Sequence, residues 1–325
     1  MGRQLPNAAT RTKDDADPTG LRRGLGQAGT PIPAYRTLGV EVRRAAAGSA
    51  VVRVPASPHL AAPGGGLLPG AFAVLADACC GCAVATALPA GGAALTAQLR
   101  VEFIRPLPPG QAWIEGRAEA DAIDDDSGLA RGEIVDEADQ LLGVASLRII
   151  KAARQPQPGH APAATPGPAP AQPAPAQPAP AQPAAAQPAA GQHQAQTPPG
   201  ALLGVVSRQA ESGQSAWIFR PPPGAANSFG MVHGGVLGLL AHEVASDAQR
   251  SLIGPDEELI PLDLVVNFYR GVPASGRLTA ATARVTHRGR RFVVAEGEVT
   301  GPDGRPALRL SVGAQVRGAR VGERP

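Results

Sequence analysis

Aromatic residues make up only 3% of this 325-residue chain, so its cores must be built from Val, Leu, Ile and Ala. Lysine is nearly missing: Lys13 and Lys151 are the only two, and the other basic residues are Arg. The Arg residues are scattered, no aromatic run accompanies them, and the net charge is only +3, which argues against a nucleic-acid partner. Cysteine is limited to Cys79, Cys80 and Cys82, too close together for a disulfide framework. Reduced thiols and a cytoplasmic setting are therefore expected. Three thiols at such spacing on a helix cannot all face one ion, so no metal site is read there. Met1–Gly20 has no apolar core of the kind a secretory signal needs, and Pro6 stands where a myristoylation motif needs Ser or Thr. The apolar run 71–88 contains Asp77 and Gly81, and reads as a buried helix of a fold with no membrane partner.

Proline and glycine, by contrast, are abundant, at 35 and 40 residues. Residues 151–200 hold 14 of the prolines and no aromatic residue. Units such as Pro173-Ala174-Pro175-Ala176-Gln177 predict a semi-rigid polyproline II linker over 152–199. Residues 1–30 are polar, lack periodicity and are expected to be disordered. Two globular regions remain, 31–151 and 200–318.

These regions resemble each other. A shift of 165 positions lays Gly70 on Gly235, Leu75 on Leu240, Ala76 on Ala241, Phe103 on Phe268 and Arg105 on Arg270. A constant offset of this kind marks an internal duplication. Each copy begins with a short strand, Ala50–Val54 or Ala216–Phe219. A Gly- and Pro-rich loop leads into one long apolar helix, 70–87 or 235–252. Four β-rich runs follow. One buried helix with an antiparallel meander is an α+β unit.

The second copy reads Asn227-Ser228-Phe229-Gly230-Met231-Val232-His233-Gly234-Gly235 where its helix begins. The first amides of a helix have no intrahelical partner and carry the positive end of its dipole. Glycine at 234 and 235 lets a ligand approach the backbone. Such a start suits a carbonyl or an oxyanion. The pattern resembles the hotdog-fold thioesterases of the phenylacetate-pathway (PaaI-like) family, whose motif is Asn, five residues, His-Gly-Gly, and an acid nine residues after the His. The runs Val266-Asn267-Phe268-Tyr269-Arg270 and His287-Arg288-Gly289-Arg290-Arg291 support the resemblance, which covers both copies but not the linker or tail.

The sequence departs from that pattern in a complementary way. His242 replaces the acid of the second copy, with Glu243 one residue late. Ala62, Leu68 and Pro69 replace the Asn, the His and the first Gly of the first copy, yet Asp77 holds its acid position. In the family, one unit gives the His-Gly-Gly amide and the Asn, and the other gives the acid and a hydroxyl residue. That hydroxyl position is Thr96 in the first copy and Pro261 in the second. The resemblance therefore implies two hotdog domains forming an intrachain pseudodimer with one composite site. Its catalytic residues would be Asp77, Thr96, Asn227, His233 and Gly234. Gly235 would border the substrate, and Arg288, Arg290 and Arg291 would meet the phosphates of coenzyme A. The implied activity is hydrolysis of acyl-CoA, with Asp77 as general base or as nucleophile and with Thr96 orienting water. No metal or redox cofactor is implied, because coenzyme A enters as part of the substrate. The alternative is a non-catalytic acyl-CoA-binding or scaffold protein with decayed sites. A hotdog dehydratase is not supported, for the chain has no His-bearing Phe-Pro-Gly motif. Association of such pseudodimers into larger oligomers is left open.

Overall fold

The computed structural model describes residues 32–62, 65–88, 93–152 and 199–318. The tail expected over 1–30 and the linker expected over 152–199 lie outside these residues, apart from Ala152 and Pro199 at the linker's two ends. The first half contains α1 (Pro33–Leu38), β1 (Glu41–Ala46), β2 (Ser49–Pro55), α2 (Ala71–Ala87), β3 (Ala93–Phe103), β4 (Trp113–Ile123), β5 (Ser127–Val135) and β6 (Leu141–Ala152). The second contains α3 (Gly200–Leu203), β7 (Val205–Glu211), β8 (Gln214–Phe219), a 3-10 turn (Pro223–Ala225), α4 (Gly234–Arg250), β9 (Glu257–Phe268), β10 (Thr279–Arg288), β11 (Phe292–Thr300) and β12 (Pro306–Gly318).

Sequence reading finds one strand ahead of each long helix, whereas the structure has two. The added strands, β1 and β7, are the two edges of the sheet. An edge strand pairs on one side only and leaves most of its side chains in water, so it shows little apolar alternation. Most of β1 and β7 is exposed or half-buried in this way.

The twelve strands of the described residues form one sheet in the order β1-β2-β4-β5-β6-β3-β9-β12-β11-β10-β8-β7. The order is the same from either end once the halves are exchanged. The halves join where β3 pairs antiparallel with β9, from Gln98 opposite Asn267 to Glu102 opposite Asp263. At the centre of this joint Arg100 faces Val265, its own counterpart under the 165-residue offset. A pseudo-two-fold axis therefore passes through that pair. Gln98 Nε2 donates to Asn267 Oδ1 over 2.8 Å across the joint.

Both long helices pack on the sheet and on each other. Almost every residue of α2 and α4 is buried, which explains why neither has a clear polar face. With few aromatics to use, the core relies on aliphatic side chains such as Leu75, Leu99, Leu147 and Leu240, all fully buried. Each contributes about 1.5–3 kcal/mol relative to an exposed position. The helices cross at two glycines related by the pseudo-symmetry. A Cβ at Gly235 would lie 2.7 Å from Val74 Cα, and one at Gly70 would lie 2.6 Å from Leu239 Cδ1. Any larger residue would force the helices apart. Among the described residues no helix is long and apolar enough to cross a membrane.

Candidate active site

The close crossing brings the start of α4 against the middle of α2. Asp77 is buried there, at 6% exposure. Groups from both halves converge on its carboxylate. Thr96, at the start of β3, donates its hydroxyl to Oδ1 over 2.8 Å. The Gly235 amide donates to Oδ2 over 2.8 Å. His233 Nδ1 lies 3.1 Å from the same Oδ2 and 3.2 Å from the Gly235 nitrogen. A neutral imidazole cannot both accept from Gly235 and donate to Asp77. With Asp77 as a carboxylate, a bare Nδ1 would turn its lone pair on a negative oxygen. The tautomer with hydrogen on Nδ1 fits, and the Gly235 amide then serves Asp77, the nearer of its two acceptors.

His233 caps α4 and is itself held by the second half, its amide donating to Ala225 O over 2.9 Å. Burial pushes its imidazole below the ordinary value of 6.5, although the Asp77 charge acts the other way. The ring is therefore neutral near pH 7. The Gly234 amide comes first in the 17-residue helix and takes no partner among the described residues. A Cβ on Gly234 would stand 2.9 Å from both oxygens of Asp77. Asn227 holds its own loop: Oδ1 accepts from the Phe229 and Met231 amides at 2.8 and 3.1 Å. Its Nδ2 makes no hydrogen bond among the described residues and is left to donate.

The structure thus brings Asp77, Thr96, His233, Gly234 and Gly235 together, with Asn227 on the loop that leads into His233. Gly235 does not offer its amide to a ligand, because Asp77 takes it. Arg288, Arg290 and Arg291 are not brought to Asp77. Their hairpin adjoins Val293 and Phe292, opposite Ala314 and Gln315, which pair in turn with Pro261 and Ile260. That places it on the other side of the pseudo-two-fold axis from Thr96. Arg288 is also engaged by Glu257, at 3.1 Å. The turn on the Thr96 side is instead acidic, with Asp124, Asp125 and Asp126 next to Ser127, in the row Gly128–Ile149–Thr96 and its neighbours.

At the opposite junction Leu68 is buried and Pro261 stands where Thr96 does in the first half. His242 packs by Phe103, ring centroids 5.7 Å apart, and its Nδ1 lies 3.0 Å from Glu243 Oε1. Both are buried, so neither faces solvent. Further along α4, Asp247 accepts two bonds of 2.6 Å from Arg208 and one of 2.9 Å from Trp217 Nε1. The matching positions of α2 are Cys82 for Asp247 and Ala78 for Glu243.

Sequence reading missed Tyr35. It lies on α1, and its ring packs on His233 with centroids 5.1 Å apart and planes at 60°. The available sign was the offset itself, which sets Tyr35 against Gly200.

The thioesterase superfamily matches residues 229–307, and the acyl-CoA thioesterase C-terminal domain family matches residues 6–146. The second of these falls on the half that carries Asp77 and Thr96. A comparison with curated protein sequences finds no match. Among solved structures, acyl-CoA thioesterase II TesB2 of Mycobacterium marinum is similar at 14% identity and TM-score 0.59, covering 90% of this chain and 99% of its own. The tesB protein of Mycobacterium avium subsp. paratuberculosis is similar at 13% identity and TM-score 0.54, covering 87% and 98%. A hot dog fold protein of Alicyclobacillus acidocaldarius is similar at 14% identity and TM-score 0.52, covering 82% and 93%. At these identities the likeness establishes the hotdog fold. Both halves of the chain carry thioesterase matches.

Proposed function

We propose that this chain, a thioester hydrolase by the thioesterase families that match both its halves, hydrolyses acyl-CoA at one composite centre of an intrachain hotdog pseudodimer. The observation that carries the reading is the convergence on Asp77 of Thr96 from its own half and of His233 and the Gly235 amide from the other.

The thioester oxygen would accept from the Gly234 amide, at the positive end of α4, and from Asn227 Nδ2. The Thr96 hydroxyl donates its hydrogen bond to Asp77 and keeps its lone pairs for water, so it fixes the carboxylate and orients the attacking molecule together. As general base, Asp77 takes a proton from that water while the oxygen adds to the carbonyl carbon. The negative charge then rests on the oxygen held by Gly234 and Asn227. Collapse breaks the C–S bond, and the thiolate leaves and takes up the proton. The products are a carboxylic acid and free coenzyme A. As nucleophile, Asp77 would form an anhydride first and water would cleave it; the same donors serve both routes. No metal or redox group is needed by either route.

The test is release of free thiol from a panel of acyl-CoAs by the purified full chain, beside Asp77→Asn. Turnover by the wild type that collapses in the variant supports the reading. Acyl-CoA binding with no thiol release from any member would overturn it in favour of a non-catalytic binding protein.

A further inference from the structure

We propose that Tyr35 is a positioning residue of the composite centre, holding the His233 ring against Asp77. The inference rests on the reading of Asp77 and His233 given above.

Tyr35 comes from the first half, but its helix is fastened to the second. The Ala34 amide donates to Ala226 O over 2.9 Å, and the Thr37 hydroxyl donates to Gly224 O over 2.9 Å. These two carbonyls flank Ala225, whose own carbonyl accepts the His233 amide at 2.9 Å. Helix α1, the 3-10 turn and the His233 backbone are therefore joined through consecutive residues. From this mount the Tyr35 ring meets the imidazole in a tilted contact, inside the range in which aromatic pairs attract. The other end of the side chain lies toward the helix that bears Asp77, near the buried thiol of Cys82, five positions further along α2. Tyr35 thus stands against His233, on the side that faces the helix of Asp77.

The pseudo-symmetry separates this role from simple core filling. At the opposite junction the counterpart of Tyr35 is Gly200, which has no side chain. The aromatic residue is missing where Leu68 replaces the His, His242 the acid and Pro261 the Thr. It is present where those groups survive.

The ring also shields the imidazole from water. Asp77 faces His233 from α2, Tyr35 from α1 and the Gly235 amide from α4, with the thiols of Cys79 and Cys82 further along α2. Burial holds the Tyr35 phenol well above its ordinary value, so it adds no charge beside the imidazole.

The experiment compares wild type, Tyr35→Phe, Tyr35→Ala and Thr37→Val in the full chain. It measures kcat, KM and the pH profile on an acyl-CoA that the wild type cleaves, and follows His233 by NMR titration. Tyr35→Ala should lower kcat by about ten- to a hundredfold with little change in KM, as a misplaced group does. The His233 pKa and the acid limb of kcat/KM should both move up as water reaches the ring. Tyr35→Phe, which keeps the ring, should retain most of the turnover and the original titration. Wild-type kcat and His233 titration in Tyr35→Ala would overturn the proposal, as would an equal loss in Tyr35→Phe. If Tyr35→Ala does not fold, Thr37→Val decides: it loosens α1 and should shift kcat and the His233 titration in the same directions, by less. No shift in either would overturn the proposal. If the wild type cleaves no acyl-CoA, the reading of function fails, and the His233 titration still decides the role of Tyr35.

Discussion

The Gly235 amide donates to Asp77 Oδ2 over 2.8 Å, between residues 158 positions apart in the chain. The bond requires the two helices to cross almost in backbone contact, and the adjacent glycines serve that crossing differently. A Cβ on Gly235 would meet Val74 Cα at 2.7 Å and Ala73 O at 2.9 Å, both backbone atoms. For a Cβ on Gly234 the three nearest atoms all belong to the carboxylate of Asp77.

Gly235→Ala is therefore expected to lower stability by about 1–3 kcal/mol, the usual cost of overpacking. Gly234→Ala should leave the melting temperature nearly unchanged and cut turnover, because the carboxylate is pushed off its position. Denaturant melts and kcat for the two variants make the comparison. Equal effects of both on stability would show that the carboxylate is not what Gly234 makes room for.

The two junctions should also separate in their response to mutation. Asp77→Asn keeps the shape of the side chain but cannot take a proton from water, so turnover should fall by about 10²–10⁴. Glu243→Ala and Asp247→Ala remove buried partners of His242 and Arg208. Leaving buried donors such as His242 and Trp217 Nε1 without their acceptors costs about 1–3 kcal/mol each, so these variants should melt early and, below the melt, turn over normally. Loss of turnover in folded Glu243→Ala, with Asp77→Asn mild, would move the centre to the opposite junction.

A pH dependence follows from His233. Its imidazole is held below 6.5 in the fold, because burial outweighs the Asp77 charge. The unfolded chain therefore binds more protons at this position as the pH falls below 6.5. The stability associated with the neutral ring is complete above that pH and declines below it, until the folded pKa is reached. Melting temperatures between neutral and mildly acid pH should fall more steeply for wild type than for His233→Asn. Parallel curves would show that His233 does not titrate differently in the fold.

Much of this architecture is legible in the sequence, for identifiable reasons. The long helices are apolar nearly all round, the inner strands carry Val and Leu, and a constant offset survives where both copies are buried. The pairing of Asp77 and Thr96 with His233 and Gly234 follows from the family resemblance, which the motif and the offset carry. The edge strands β1 and β7 do not, because solvent-facing strands lose the apolar alternation. Tyr35 does not, because its contact with His233 depends on α1 crossing to the other half, which no local pattern encodes. The position of the arginine hairpin is likewise set by strand register. Sequence lists Arg288, Arg290 and Arg291 in the same copy as His233. The sheet, however, carries them away from the half of the junction that holds Asp77.

That register makes a last prediction about the polyanionic end of coenzyme A. Arg290 and Arg291 are exposed but lie across the pseudo-two-fold axis from Thr96, so the double variant Arg290→Ala/Arg291→Ala should change KM little. Asp125 and Asp126 are exposed on the turn that shares the Thr96 side. Their charges repel the phosphates of an approaching substrate, by an amount that salt screens within about 10 Å at 0.1 M. Asp125→Asn/Asp126→Asn should therefore lower KM at low ionic strength, with the gain fading as salt is added, while kcat holds. Asp124 is left in place because its carboxylate accepts the Asp126 and Ser127 amides and shapes the turn. KM measured at low and high salt for the two double variants decides the matter. A rise in KM on removing the arginines, with no response to the aspartates, would mean that coenzyme A approaches from the opposite junction.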